Sequence, residues 1–323
     1  MPLQRASDEP GLSASRSTRP MDRGTADRGT ASRMLAQNSP RTVVPSVTSA
    51  NSPSPSPALT KQQTVSRETF RAKLVEGVQK ALKARIGFGR AVGSKAFGPP
   101  RFDGDYFVVQ NPQSDHAYLQ LKTGKTPAEA VDAIFSSSDK WKFDCFEFAE
   151  VLQLYALRES LGPSATGTNQ FNELVRGAFK RANDPKSGLL ELRPRAESAL
   201  PYREWFHVKT DKKDNPVNGP LITRSRDSRG QRVVRTITQE EGRRVDVGSL
   251  VTFTNPRATK PVWQNENAIS LGEGQFVAWG ITPYILTVDS IINHLASNSA
   301  ESREKRVQSI FITGITVPDI PWR

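Results

Sequence analysis

Apolar residues follow two rhythms along this chain. Between residues 66 and 179 they recur every three or four positions, the spacing of one helix face. Ser66-Arg67-Glu68-Thr69 places a serine ahead of an acidic first turn. Phe70, Leu74, Val78 and Leu82 follow at helical spacing, which predicts a helix to about Ala84 with Lys80, Lys83 and Arg85 crowding its end. A glycine-rich stretch, 87–100, leads to a predicted strand at Tyr106–Gln110, closed by Asn111-Pro112, and Tyr118–Leu121 alternates as another. Thr126-Pro127-Ala128-Glu129 has a capping threonine, a proline at the first helical position and a glutamate two further on. A helix through Ala130, Val131 and Ile134 to Phe135 is expected. The densest apolar run follows the polar cluster Ser136–Asp139. From Lys142 to Leu157 there is no proline or glycine, which predicts a buried helix of about four to five turns with Cys145 in its first turn. Another amphipathic helix is expected over Phe171–Phe179.

The second rhythm begins near Val245. Ser249–Thr254, Trp263–Gly272 and Gln275–Gly280 read as three strands joined by short turns, hence an antiparallel sheet. A helix from Thr287 through Ile291, Ile292 and Leu295 and a last strand at Ser309–Thr313 complete the pattern. Helices first and antiparallel strands afterwards argue an α+β fold. Between the halves, residues 183–235 are rich in turn residues and charge. The basic run from about Lys209 to Arg235 reads as a solvated loop or hairpin insertion.

Composition changes the picture at one end only. Hydrophobic residues make up 36% of the chain, a low share that reflects a polar first segment rather than a poor core. Residues 1–65 repeat Asp-Arg-Gly-Thr-Ala at 22–26 and 27–31 and alternate Ser and Pro at 52–57, so they are expected to be a disordered tail ahead of a domain spanning 66–323. Neither a secretory h-region nor a run long enough to span a bilayer is present. A soluble protein is expected, cytoplasmic or exported without a signal peptide, with a delivered effector as one way to read the tail. The net charge of +12 suits an acidic partner, but no nucleic-acid motif accompanies it, so nucleic acid is not the expected ligand.

Candidate chemistry centres on the single cysteine. A lone cysteine excludes an internal disulfide. With only three histidines, no zinc-ligand spacing is present, and neither a metal nor a cofactor is expected. At a helix N-terminus, Cys145 meets the positive end of the dipole and unpaired backbone N–H groups, which favour a thiolate nucleophile. A buried cysteine serving as a small apolar side chain is the alternative.

The order of motifs resembles the papain-like enzymes, and within them the bacterial spore-type protein-glutamine γ-glutamyltransferases (transglutaminases). Leu121–Gly124 with Pro127–Ala130 and Ile134-Phe135 resembles that family's approach to its nucleophile, and Phe143-Asp144-Cys145 its aromatic-acid-cysteine motif. Val247–Pro256 resembles its strand into Asn-Pro, and Trp263–Ile269 with Leu271-Gly272 its Trp-Gln-x-Glu-Asn segment. The resemblance implies a Cys145 thioester formed on protein glutamine and resolved by a lysine amine or water, with Glu266 as first-choice proton carrier and Asp144 as second. Trp263, Asn267 and Trp279 would form the pocket, the two tryptophans walling Glu266. The chain departs from the family where a histidine is expected, since the register puts Trp279 there. His116 and His294 lie elsewhere, and His207 could serve only if its strand neighbours the cysteine. The resemblance therefore leaves a second reading, a catalytically inactive binding module of the same fold. Glu266 could also be an ordinary strand carboxylate, Trp279 a core aromatic and Asp144 no more than a helix cap.

Overall fold

Asp144 accepts a hydrogen bond from the Glu147 backbone N–H at 2.8 Å, and Glu147 accepts one from the Asp144 N–H at 3.2 Å. This reciprocal cap starts the central helix at Cys145, as an acidic N-cap with glutamate three residues on should. A computed structural model of the chain describes residues 63–89, 101–110, 118–178, 191–192, 200, 202–213, 215–226, 229–299 and 303–323. Nearly all of the expected tail, Asn111-Pro112, His116, Phe179 and most of the stretches 90–100 and 183–201 lie outside the described residues.

The first half comprises α1 (Arg67–Lys83), β1 (Gly87–Phe88), β2 (Phe107–Gln110), β3 (Tyr118–Leu121), α2 (Pro127–Ser136), β4 (Lys142–Phe143), α3 (Cys145–Leu161) and α4 (Ala165–Ala178). Next come β5 (Glu191–Leu192), β6 (Tyr202–Thr210), β7 (Pro216–Arg226), β8 (Arg232–Ile237) and the short helix α5 (Gln239–Gly242). The remainder is β9 (Leu250–Thr254), β10 (Asn265–Gly272), β11 (Gln275–Ala278), β12 (Ile285–Thr287), α6 (Val288–Ser297), α7 (Arg303–Ser309) and β13 (Phe311–Pro318). The fold is α+β, with helices preceding an antiparallel sheet.

Helix α3 is buried on nearly every side, and its charged Glu147, Glu150 and Arg158 are buried with the apolar residues. Its neighbour α1 approaches closely because Gly77 carries no side chain: a Cβ there would lie 2.5 Å from Leu152 Cδ1 and 2.7 Å from Tyr155 Cδ1. Leu82, expected on the apolar face of α1, is exposed instead.

The main sheet has eight strands in the order β12-β11-β10-β9-β13-β6-β7-β8, every described pair antiparallel. One face of β9–β11 joins the helical core through Leu250, Ile269, Leu271 and Val277. The other face builds a second core, with Val251, Phe253, Ala268 and Phe276 packed beside Ile291 and Leu295 of α6. Three sequence expectations change in detail. Of its two expected forms the basic segment takes the hairpin, β7–β8, but this extends the main sheet, and β6 forms ahead of it. The last strand, β13, is longer than expected and is inserted between β9 and β6. Pro261–Trp263 is a 3-10 turn that uses the Trp263 and Gln264 N–H groups on Lys260 O and Pro261 O, so β10 begins at Asn265.

Candidate active site

The half-buried Cys145 thiol stands against the edge of β10. Pairing between β10 and β11 ends at Ala268↔Ala278, so Glu266 and Asn267 have strand partners only on the β9 side, Phe253 and Thr252. The first turn of α3 fills the place a continuing β11 would occupy. Asn267 Nδ2 donates to Cys145 Sγ at 3.3 Å, and the Asn267 backbone N–H also bonds the sulfur. In turn Thr252 Oγ1 donates to Asn267 Oδ1 at 2.8 Å, which turns the amide nitrogen toward the sulfur.

The next residue back differs in chemistry. Glu266 is 3% exposed, and its Oε1 has no hydrogen-bond partner. Strand alternation turns it toward the second core, whereas Asn267 faces the helical one. Both still border the open edge at which Cys145 sits. Burial, and then the Asp144 charge, holds the Glu266 carboxyl well above the usual carboxylate range. The Cys145 thiol is pushed up by burial first, then by the charges of Glu266 and Asp144, against which the Asn267 N–H groups pull it down. The site thus opposes two acids sharing little solvent with two donors able to hold an anionic sulfur. The net direction is upward, so the resting site holds a thiol and not the thiolate that the helix start leads one to expect; the Asn267 donors can hold the sulfur once its proton passes to a carboxylate.

Aromatic rings close one side. Trp279 is 3% exposed, stacked on Phe148 with ring centroids 3.8 Å apart and on Tyr284 at 5.0 Å. Its Nε1 is buried with no acceptor. Phe148 lies one turn after Cys145, so the stack borders the nucleophile helix. Trp263 is elsewhere: it packs edge-on against His294 of α6 at 5.0 Å, among the second-core residues. The two tryptophans therefore stand on opposite sides of the sheet instead of jointly walling Glu266.

The other described histidine is no closer. His207 lies on β6, which β13 and β9 separate from β10. Three strand spacings make about 14 Å, beyond proton-transfer reach of Cys145. Among the described residues no group of three or more His, Cys, Asp or Glu is arranged to hold a metal ion.

The residues missed in the sequence are Thr252, Phe148 and Tyr284. Phe148 was readable, three residues after Cys145 on the same helix face. Thr252 needed the β9–β10 register, and Tyr284 a turn whose path no local pattern fixes.

No protein-family model matches the chain, and no curated protein matches it. Among solved structures it is similar to a transglutaminase from Geobacillus stearothermophilus (without its C-terminal extension). The two chains are 21% identical, with a TM-score of 0.47, over 78% of this chain and 90% of that one. Among the described residues no helix is long and apolar enough to cross a membrane.

Proposed function

We propose that this site transfers the acyl group of a protein glutamine through a Cys145 thioester. The observation that supports the reading is the Cys145 sulfur accepting from Asn267 Nδ2 at 3.3 Å, with the buried Glu266 carboxyl, its Oε1 unpartnered, near enough for its charge to act on the thiol. In the reacting state the Glu266 carboxylate takes the Sγ–H proton. The thiolate attacks the γ-carboxamide carbon, and the unpaired N–H groups of the first α3 turn face the resulting oxyanion. As the C–N bond breaks, Glu266 returns its proton and ammonia leaves. A lysine amine or water then attacks the thioester, gives a proton to Glu266 and expels the thiolate. Burial and the Asp144 charge make Glu266 a stronger base than an ordinary carboxylate, the direction this duty needs. Asp144 supports the site as helix cap and as the charge that raises Glu266.

The test is incorporation of a fluorescent primary amine into a glutamine-rich protein, with deamidation followed by mass spectrometry. Cys145→Ala should abolish both reactions, and Glu266→Gln should lower the rate by about 100-fold or more. An active Cys145→Ala would sink the reading. A second reading, an inactive fold used for binding, is favoured by two observations: Trp279 is buried beside α3, and neither described histidine lies beside Cys145. A wild-type protein inert in both assays that gains turnover in Trp279→His would select it.

A further inference from the structure

The sheet runs on past the site, and its register draws a line across it. Asn267 pairs with Thr252, Thr252 with Gly314, Gly314 with His207, and His207 with Ile222. Directly paired residues share a face, so this row extends the Cys145 side of the sheet. Behind it the sheet is full: Phe206, Val208, Leu221 and Ile237 all belong to the second core. In front it is open. Thr252, Thr313, Gly314, Thr316, His207 and Ile222 are half-buried, and Trp205, tilted against His207 at 5.2 Å, is 52% exposed. At Gly314 the row has no side chain, and a Cβ there would meet nothing nearer than 3.8 Å.

Charge gathers at the far end. Arg224, two residues beyond Ile222, pairs with Val234, and Arg232 alternates with Val234, so both arginines lie on the open face. Arg224 is near enough to His207 to help depress its pKa, after burial. Arg224 and Arg232 are exposed and have no ion pair among the described residues. On the opposite face, by contrast, Arg235 is neutralised by Glu204 at 2.8 Å. An open polar floor, one exposed indole and two uncompensated arginines are thus aligned with the nucleophile.

We propose that this face is the docking track for an acidic polypeptide, whose glutamine enters at Cys145 while its carboxylates lie over Arg224 and Arg232. The proposal rests on the acyl-transfer reading of Cys145. Strands are about 4.8 Å apart, so β7 and β8 lie roughly 19 and 24 Å from β10. An extended chain advances about 3.3 Å per residue, which puts the acidic residues about six or seven positions from the reactive glutamine. A nucleic acid fits less well, because the row Asn267, Thr252 and Gly314 offers a phosphate backbone no cation over the first three strands from Cys145.

The experiment uses the full chain and two fluorescein-labelled peptides of equal length, each with one glutamine. One carries two glutamates about six residues away, the other serines there. Anisotropy should show the acidic peptide binding about tenfold tighter at low salt, an advantage lost in the doubly substituted Arg224→Glu/Arg232→Glu protein and reduced in Arg224→Gln/Arg232→Gln. Amine incorporation should favour the acidic peptide by a similar ratio in kcat/KM, and the ratio should collapse toward one in the charge-reversed protein. Equal binding of both peptides by the wild type overturns the proposal. So does a charge reversal that abolishes binding of a single-stranded oligonucleotide while the acidic peptide is unaffected. Acidic-peptide binding that depends on the arginines, with no amine incorporated into either peptide, sustains the docking surface and rejects the acyl-transfer reading instead.

Discussion

The side chain of Asn267 opposes the burial and the two carboxylates that push the Cys145 thiol up. A primary amide can present its nitrogen or its oxygen to a neighbour, and the two ends act oppositely: the nitrogen supports a thiolate, the oxygen a thiol. Thr252 Oγ1 on Asn267 Oδ1 selects the first arrangement. Replacing Thr252 by valine removes that selection while keeping the shape, so the thiol pKa should rise by up to about one unit, the worth of one hydrogen bond. The rate of Cys145 alkylation against pH reads this directly, and Thr252→Ser should restore the wild-type profile. A Thr252→Val profile that superimposes on wild type would remove Thr252 from the site. Glu266 makes a second prediction, on stability. Its carboxyl is raised by burial and by Asp144, so its contribution is fully present below the unfolded pKa and is lost as pH rises through the folded one. Glu266→Gln does not titrate. Its melting temperature relative to wild type should therefore improve as pH rises above about 4, the ordinary carboxylate range. A difference that stays constant with pH would mean the carboxyl is not held protonated by the fold.

At the scale of elements, the nucleophile is positioned by α3, and α3 is positioned by the close approach of α1 at Gly77. Gly77→Ala sets two effects against each other. Helix propensity alone favours alanine by about 1 kcal/mol. The new methyl, however, would press on Leu152, which is fully buried, and on Tyr155, whose hydroxyl is bonded to Glu76 at 2.8 Å. Overpacking of this kind costs about 1–3 kcal/mol, so the melting temperature should fall by a few degrees. A rise would show that the helices can separate freely. The same elements show what the sequence made legible. Local chemistry specified α1, α2 and α3, because Ser66, Thr126 and Asp144 are caps that act within their own turns. It also specified β9 to β11, joined by short connections. What stayed hidden was set by distant pairing. β13 joins β9 to β6 from far along the chain, and the charged hairpin β7–β8 is a strand pair because β6 offers it an edge. Within the site, the helix-start position of Cys145 and the Asp144 cap were readable. The contact between Asn267 and the sulfur depends on where β11 stops, which no local pattern records.

At the scale of the whole described unit, the segment after β13 returns to the start of α1. Val65 N donates to Pro321 O at 2.8 Å, and Arg323 N donates to Val65 O at 2.9 Å. Trp322 sits edge-on to Phe70 at 5.5 Å, and the Arg67 guanidinium lies over its ring at 5.3 Å. Phe70 is fully buried and close to Gly248, whose absent Cβ would lie 2.8 Å from the ring. Phe70 therefore wedges α1 against the turn that feeds β9, the strand carrying Thr252. Through these contacts the two ends of the described chain hold α1, α1 holds α3, and α3 holds the thiol. Trp322→Ala should remove the lid from Phe70. Trp322 is only partly buried, so the loss belongs below the usual 3–5 kcal/mol for a core tryptophan, at about 2 kcal/mol, or several degrees in melting temperature. Trp322→Phe keeps an edge for Phe70 but gives Arg67 a smaller ring, and it should recover most of that loss. If Trp322→Ala melts with wild type, the return of the chain to α1 is carried by its backbone hydrogen bonds alone, and the aromatic contact contributes nothing to holding the nucleophile helix in place.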